Sequence, residues 1–109
     1  MNKIDMREWT SALEEMIDNK LSKWIKRNPI QNGESILLGW QFEQTCMSLF
    51  VFWEDGKESV NLQCIGPRVS HSYFWNGLTD KTFNQVADRV GNLAQIVMHP
   101  PIDPLDRLS

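Results

Sequence analysis

Residues 35–65 alternate apolar and polar side chains in three consecutive stretches, the period of half-buried β-strands. Glu54-Asp55-Gly56-Lys57 separates the second stretch from the third. Asp-Gly accepts the positive φ of a type I′ turn and Glu54 can pair with Lys57 across it, so a two-residue hairpin is expected there. Counting back from that turn sets Val51 against Val60, Leu49 against Leu62 and Met47 against Cys64 on one face. On the other face Phe52 meets Ser59, Phe50 meets Asn61 and Ser48 meets Gln63. One face is oily, and the other is polar except for two phenylalanines.

A second tight turn at Gln44-Thr45 would bring Phe42 to Met47, Trp40 to Leu49, Leu38 to Val51 and Ile36 to Trp53. It would also set Gly39 opposite Phe50 and Leu37 opposite Phe52 on the outer face, where a ring can cover the bare backbone of a strand glycine. A one-residue slip would send every side chain of that first strand to the other face.

The flanking segments have helical period. Met6, Trp9, Leu13, Met16, Ile17, Leu21 and Trp24 form one stripe and predict a helix over 5–27, with Asp5 as N-cap, Glu8 three positions on, and Asn28-Pro29 as the stop. Val69 to Trp75 alternates again and predicts a fourth strand. Asn76-Gly77 turns the chain. Thr79 then caps a second helix whose buried stripe is Phe83, Val86, Ala87, Val90, Ala94 and Val97, and Pro100-Pro101 stops it near Met98. The expected fold is α+β, a two-layer αββββα arrangement with an antiparallel sheet of three to four strands and both helices on one face. Residues 1–99 make a single domain, and 100–109, with three prolines, an extended C-terminal tail.

At 109 residues the chain can build one core. Its net charge of −3 argues against a general nucleic-acid binder, which needs a cationic surface, and makes a neutral or basic protein partner easier to accommodate. Acidic residues early in the first helix and Lys20, Lys23, Lys26 and Arg27 late match the helix dipole, which accounts for the basic cluster without a partner. No apolar run has the length of a membrane span and no signal-peptide pattern opens the chain, so a cytoplasmic protein without membrane contact is expected. Cys46 and Cys64 lack zinc-ligand or CxxC spacing and project from opposite faces of the sheet, so free thiols are expected. Five tryptophans are many for this length, and filling a small core explains most of them.

Catalytic chemistry is sparsely represented. His71 neighbours Ser70 and Ser72, but adjacent strand residues point to opposite faces and do not readily make a nucleophile-to-base hydrogen bond. His99 ends the second helix. Neither a phosphate-binding glycine loop nor a metal-ligand spacing occurs, so no cofactor and no metal are expected. The αβββα order resembles that of double-stranded-RNA-binding domains, yet Thr79-Asp80-Lys81-Thr82, where those domains are basic, is nearly neutral. A small acidic α+β chain with an amphipathic first helix also looks like a type III secretion chaperone, a class that continues with more strands and a third helix.

Leu37, Phe50, Phe52, Asn61 and Gln63 are the expected binding residues. The expected function is a non-catalytic protein-binding module, most concretely a small acidic bacterial immunity protein or phage-encoded inhibitor that occludes a cognate protein with its sheet face. The alternatives are a secretion-chaperone-like homodimer, or a small-ligand or enzymatic pocket near His71, Tyr73 and Trp75.

Overall fold

The computed structural model describes residues 6–99. Its elements run α1 (Met6–Lys20), β1 (Ile25–Lys26), β2 (Ile30–Asn32), β3 (Ser35–Phe42), β4 (Thr45–Glu54), β5 (Lys57–Gly66), β6 (Val69–Asn76) and α2 (Asp80–Met98). The class is α+β: one antiparallel sheet in the order β1-β3-β4-β5-β6, with β2 also on β3, carries both helices on one face. The expected tail at 100–109 and the Asp5 cap lie outside the described residues.

The hairpin between β4 and β5 forms as its sequence requires. Asp55 has φ 52° and Gly56 φ 75°, and Glu54 pairs with Lys57. The register then follows by counting, with Val51 on Val60, Leu49 on Leu62 and Met47 on Cys64. Pro67-Arg68 makes a second two-residue connection, pairing Gly66 with Val69 and Leu62 with Tyr73. Three cross-strand rows result on the helix-bearing face: Ile36–Val51–Val60–Trp75, Leu38–Leu49–Leu62–Tyr73 and Trp40–Met47–Cys64–His71. Their first three members in each row are buried, and α1 and α2 seal them with Trp9, Leu13, Ile17, Val86, Val90 and Leu93. Gly66 is required by close approach, since a Cβ there would strike the Thr45 side chain.

The β3–β4 register differs from the expected one by two residues. Glu43, at φ 53°, takes the first position of the turn, so Phe42 pairs with Thr45, Trp40 with Met47, Leu38 with Leu49 and Ile36 with Val51. A two-residue shift preserves the faces, because side chains alternate with period two. It does change neighbours: Phe50 lies against Leu37, and Gly39 against Ser48. Instead of an aromatic ring, the Arg27 side-chain stem runs beside Gly39.

The first helix is shorter than its periodicity predicts, ending at Lys20 instead of continuing to 27. Leu21 and Trp24 remain buried, but through a turn in which the Trp24 N–H donates to the Leu21 carbonyl at 2.9 Å. The chain beyond it supplies an edge that β3 would otherwise lack: Ile25–Lys26 pairs with Trp40–Gln41, and Ile30–Asn32 with Ser35–Leu37. Hence the sheet has six strands where three to four were expected. Five steps separate Ile25 from Ile30 and four separate their partners Gln41 and Leu37, so the edge holds a bulge at Asn28-Pro29. Proline suits that position because it has no N–H to give a ladder. The Lys23, Lys26 and Arg27 charges are therefore not on a helix end.

Lys26 has specific partners across the layers. Its Nζ lies 2.7 Å from a Glu14 carboxylate oxygen and 2.8 Å from Asp18 Oδ2, while Asp18 Oδ1 accepts the Trp40 indole N–H at 2.9 Å. Partial desolvation pulls the Lys26 pKa down, and the two carboxylates outweigh it, leaving the pKa raised. This contribution to stability is present below the ordinary lysine pKa and fades as pH rises through the raised value. Solvent screens it, because the side chain is 40% exposed.

Trp40 itself is buried, so its N–H depends on Asp18. Asp18→Ala is expected to cost about 1–3 kcal/mol by leaving that donor unsatisfied. Asp18→Asn keeps an acceptor and should cost no more than the roughly 0–1 kcal/mol of an exposed ion pair. Urea unfolding of both variants checks this ordering, and equal losses would contradict it.

Candidate functional site

The opposite face of the sheet has no helix on it among the described residues. Alternation sends Leu37 of β3, Phe50 and Phe52 of β4 and Phe74 of β6 to that side, where the pairings connect them. Ile30 pairs with Leu37, Leu37 with Phe50, Phe50 with Asn61 and Asn61 with Phe74, a single row across five strands. Phe52 stacks on Phe50 at 4.6 Å between ring centroids with the planes 16° apart, and lies 6.1 Å from Phe74. Ile30 is 60% exposed, Leu37 37% and Phe74 53%, so the row is open to solvent towards both ends, with Phe50, Phe52 and Asn61 half-buried between them.

A second, thinner apolar pair lies two rows away, where Ile25 and Ile65 flank Gln41 and Cys46. Between the two rows run Gly39, Ser48, Gln63 and Ser72, none of them charged. Of the eight large hydrophobic side chains exposed among the described residues, Ile25, Ile30, Leu37, Ile65 and Phe74 are on this face. Scattered apolar exposure is ordinary, whereas its concentration on one face is the mark of an interaction surface.

The five expected site residues all lie on this face and play different parts. Leu37, Phe50 and Phe52 form its contiguous centre. Asn61 is in the row, but its amide donates to the Ser72 hydroxyl at 3.2 Å and the Tyr73 carbonyl at 3.0 Å, so it serves to fasten β6 to β5. Gln63 is exposed in the polar row beyond. Phe74 and Ile30 were missed. The two-residue spacer Pro67-Arg68 was the available signal for Phe74, since it sets Phe74 opposite Asn61. For Ile30 the signal was Asn32-Gly33: Gly33 has φ 61° in a two-residue turn that closes Asn32 on Ser35 and so sets Ile30 opposite Leu37.

The region of His71, Tyr73 and Trp75 is on the other face, beside α2. The three rings line β6 at 6.0 and 6.1 Å centroid spacings. The Arg89 guanidinium sits 4.4 Å over the Tyr73 ring, and the Trp75 indole donates to Gln85 Oε1 at 3.0 Å. The Arg89 and Gln85 contacts tie β6 to α2. Ser70 and Ser72 point away from His71, to the outer face. His99 is the C-cap of α2, its N–H donating to the Gln95 carbonyl.

Among the described residues no three His, Cys, Asp or Glu side chains gather as metal ligands would, and no helix is long and apolar enough to cross a membrane. The chain matches no protein-family model, no curated protein and no solved structure.

Both cysteines are free thiols, Cys46 exposed on the outer face and Cys64 buried beneath the helices. Burial, with Cys46 as a lesser cause, pushes the Cys64 thiol up to about 11. The thiolate is the reactive form. Iodoacetamide at pH 8 should therefore label Cys46 in the native protein and Cys64 only after unfolding, as read by peptide mass. Equal labelling of both in the native protein would contradict the face assignment.

Proposed function

We propose that this chain is a non-catalytic protein-binding module whose outer sheet face covers the surface of a protein partner, in its most concrete form a small immunity or inhibitor protein. The observation that carries the reading is the solvent-facing row Ile30–Leu37–Phe50–Asn61–Phe74 with Phe52 stacked upon it. Solvent alone would favour polar residues at those positions, and a helix layer already covers the core on the other side. Aromatic side chains ringed by serine, asparagine and glutamine have the composition of an interface centre with a polar rim.

The charge of the face refines the partner. Apart from Arg27, which donates to Gln41, its middle carries neutral side chains, so the net −3 resides elsewhere. Complementarity here calls for an apolar, uncharged patch on the partner, and the basic partner suggested by net charge alone is not needed.

The test is the double substitution Phe50→Ser/Phe52→Ser. The melting midpoint should stay near that of the parent, because neither ring belongs to the core beneath the helices. Binding to a partner captured by the parent protein should weaken by at least about 2 kcal/mol, the size of an interface hot spot. Unfolding of the variant, or binding at parental strength, would remove the face from consideration.

A further inference from the structure

The two edges of the sheet are built differently. The edge formed by β1 and β2 is broken into short pieces by the bulge at Asn28-Pro29 and carries Lys26 and Arg27, all of which discourage another strand from adding. The β6 edge has none of these devices. Val-Ser-His-Ser-Tyr-Phe-Trp-Asn holds no proline, no glycine, no lysine and no carboxylate, and pairs with β5 in unbroken register from Val69 to Asn76. Val69, Tyr73, Phe74 and Trp75 favour the extended state.

Its outward hydrogen-bonding groups follow from the ladder. The Gly77 N–H donates to the Glu58 carbonyl at 2.7 Å, which makes that pair a hydrogen-bonded one. Alternation along an antiparallel pair then turns the backbone groups of Val69, His71, Tyr73 and Trp75 toward β5, and those of Ser70, Ser72, Phe74 and Asn76 away from the sheet. Among the described residues, no backbone or side-chain group bonds to the outward set.

We infer that β6 is a self-association edge, on which β6 of a second copy of this chain adds antiparallel across a two-fold axis. One register uses the whole strand: with the axis at Tyr73, Ser72 of each copy pairs with Phe74 of the other, and Ser70 with Asn76, so all four outward residues are engaged. Tyr73 then faces its own counterpart in a close, non-hydrogen-bonded pair on the helix-bearing side. β6 itself sets no lysine, arginine or carboxylate against its copy, while the Arg89 guanidinium over each Tyr73 ring comes to the seam on the helix-bearing side. Arg68 before the strand comes to the same end of the paired ribbon as Asp80 after it in the other copy, an opposite-sign match at both ends. The outer faces of the two sheets join, with Phe74 of each copy next to the seam. This inference does not rest on the outer-face reading, since it uses backbone groups in the plane of the sheet.

Analytical ultracentrifugation and amide hydrogen exchange, run over a series of protein concentrations, test it. The expected result is a reversible monomer–dimer equilibrium in which protection of the Ser70, Ser72, Phe74 and Asn76 amides rises with concentration, while the Tyr73 amide is protected throughout. Ser72→Pro removes an outward N–H on an edge strand and should weaken dimerisation at least ten-fold. In a Cys46→Ser background, Tyr73→Cys should cross-link as a disulfide dimer under mild oxidation, and Gln63→Cys, one strand inside the edge, should not. Phe50→Ser/Phe52→Ser should leave the dimer intact, which separates this interface from the proposed partner surface. A monomer at every concentration, or a dimer whose added protection lies away from β6, overturns the inference even if Ser72→Pro fails to fold.

Discussion

The positive-φ turn at Asp55-Gly56 is the constraint from which the rest of this molecule follows. A strand pair has only two parities, and a two-residue connection selects one of them. With Glu54 closed on Lys57, Leu49, Val51, Val60 and Leu62 share a face and Phe50 and Phe52 share the other. The first set has the volume and hydrophobicity to hold two helices, and it does. The second set is then left facing solvent, because the same parity that builds the core excludes it. The apolar outer face is thus a consequence of the register that stabilises the fold.

The helices are held by tryptophans that use both of their chemical halves. The Trp40 ring is in the core and its N–H reaches Asp18 of α1. Trp9 of α1 packs edge-on against Phe83, 5.8 Å away, and donates to the Thr79 carbonyl at the N-cap of α2. Trp24 lies against Phe42 and directs its N–H at the Met98 sulfur near the other end of α2. Trp75 donates to Gln85 in the first half of that helix. Each ring contributes apolar area while its single donor specifies which element it must meet. Reading most of the five tryptophans as core filler captured the first role for Trp9, Trp24 and Trp40 and missed the second, while Trp53 is exposed.

Legibility in the sequence followed the range of the forces involved. The β4–β5 hairpin, Thr79 as N-cap and the end of α2 at Met98 were readable because turn chemistry, capping and proline stops act within a few residues. Thr79 Oγ1 does accept the Thr82 N–H, at 3.0 Å. The β3–β4 turn was placed one residue late, since Glu43 adopts a left-handed conformation that its residue type does not advertise. Parity rescued the faces all the same. Residues 21–27 were not readable: Leu21 and Trp24 continue a helical spacing, yet the unpaired edge of β3 draws the chain beyond them into a short strand, while Ile30–Asn32 is laid on the same edge by the local turn at Gly33-Glu34. Of the candidate surface, Leu37, Phe50 and Phe52 came from local alternation. Phe74 and Ile30 join them through pairings set by two further two-residue turns, at Pro67-Arg68 and at Gly33-Glu34.

Fluorine NMR of the protein labelled with 4-fluorophenylalanine tests the central claim, that hairpin parity delivers an aromatic cluster to an open face. Its five phenylalanines divide into Phe50, Phe52 and Phe74 on the outer face and Phe42 and Phe83 against the core. Moving from H₂O to D₂O shifts a fluorine resonance in proportion to its contact with water. The largest isotope shift is expected for Phe74, which is 53% exposed, with lesser ones for the half-buried Phe50, Phe52, Phe42 and Phe83. A Phe74 shift as small as those of Phe42 and Phe83 would show that the face is already covered, and would contradict that claim.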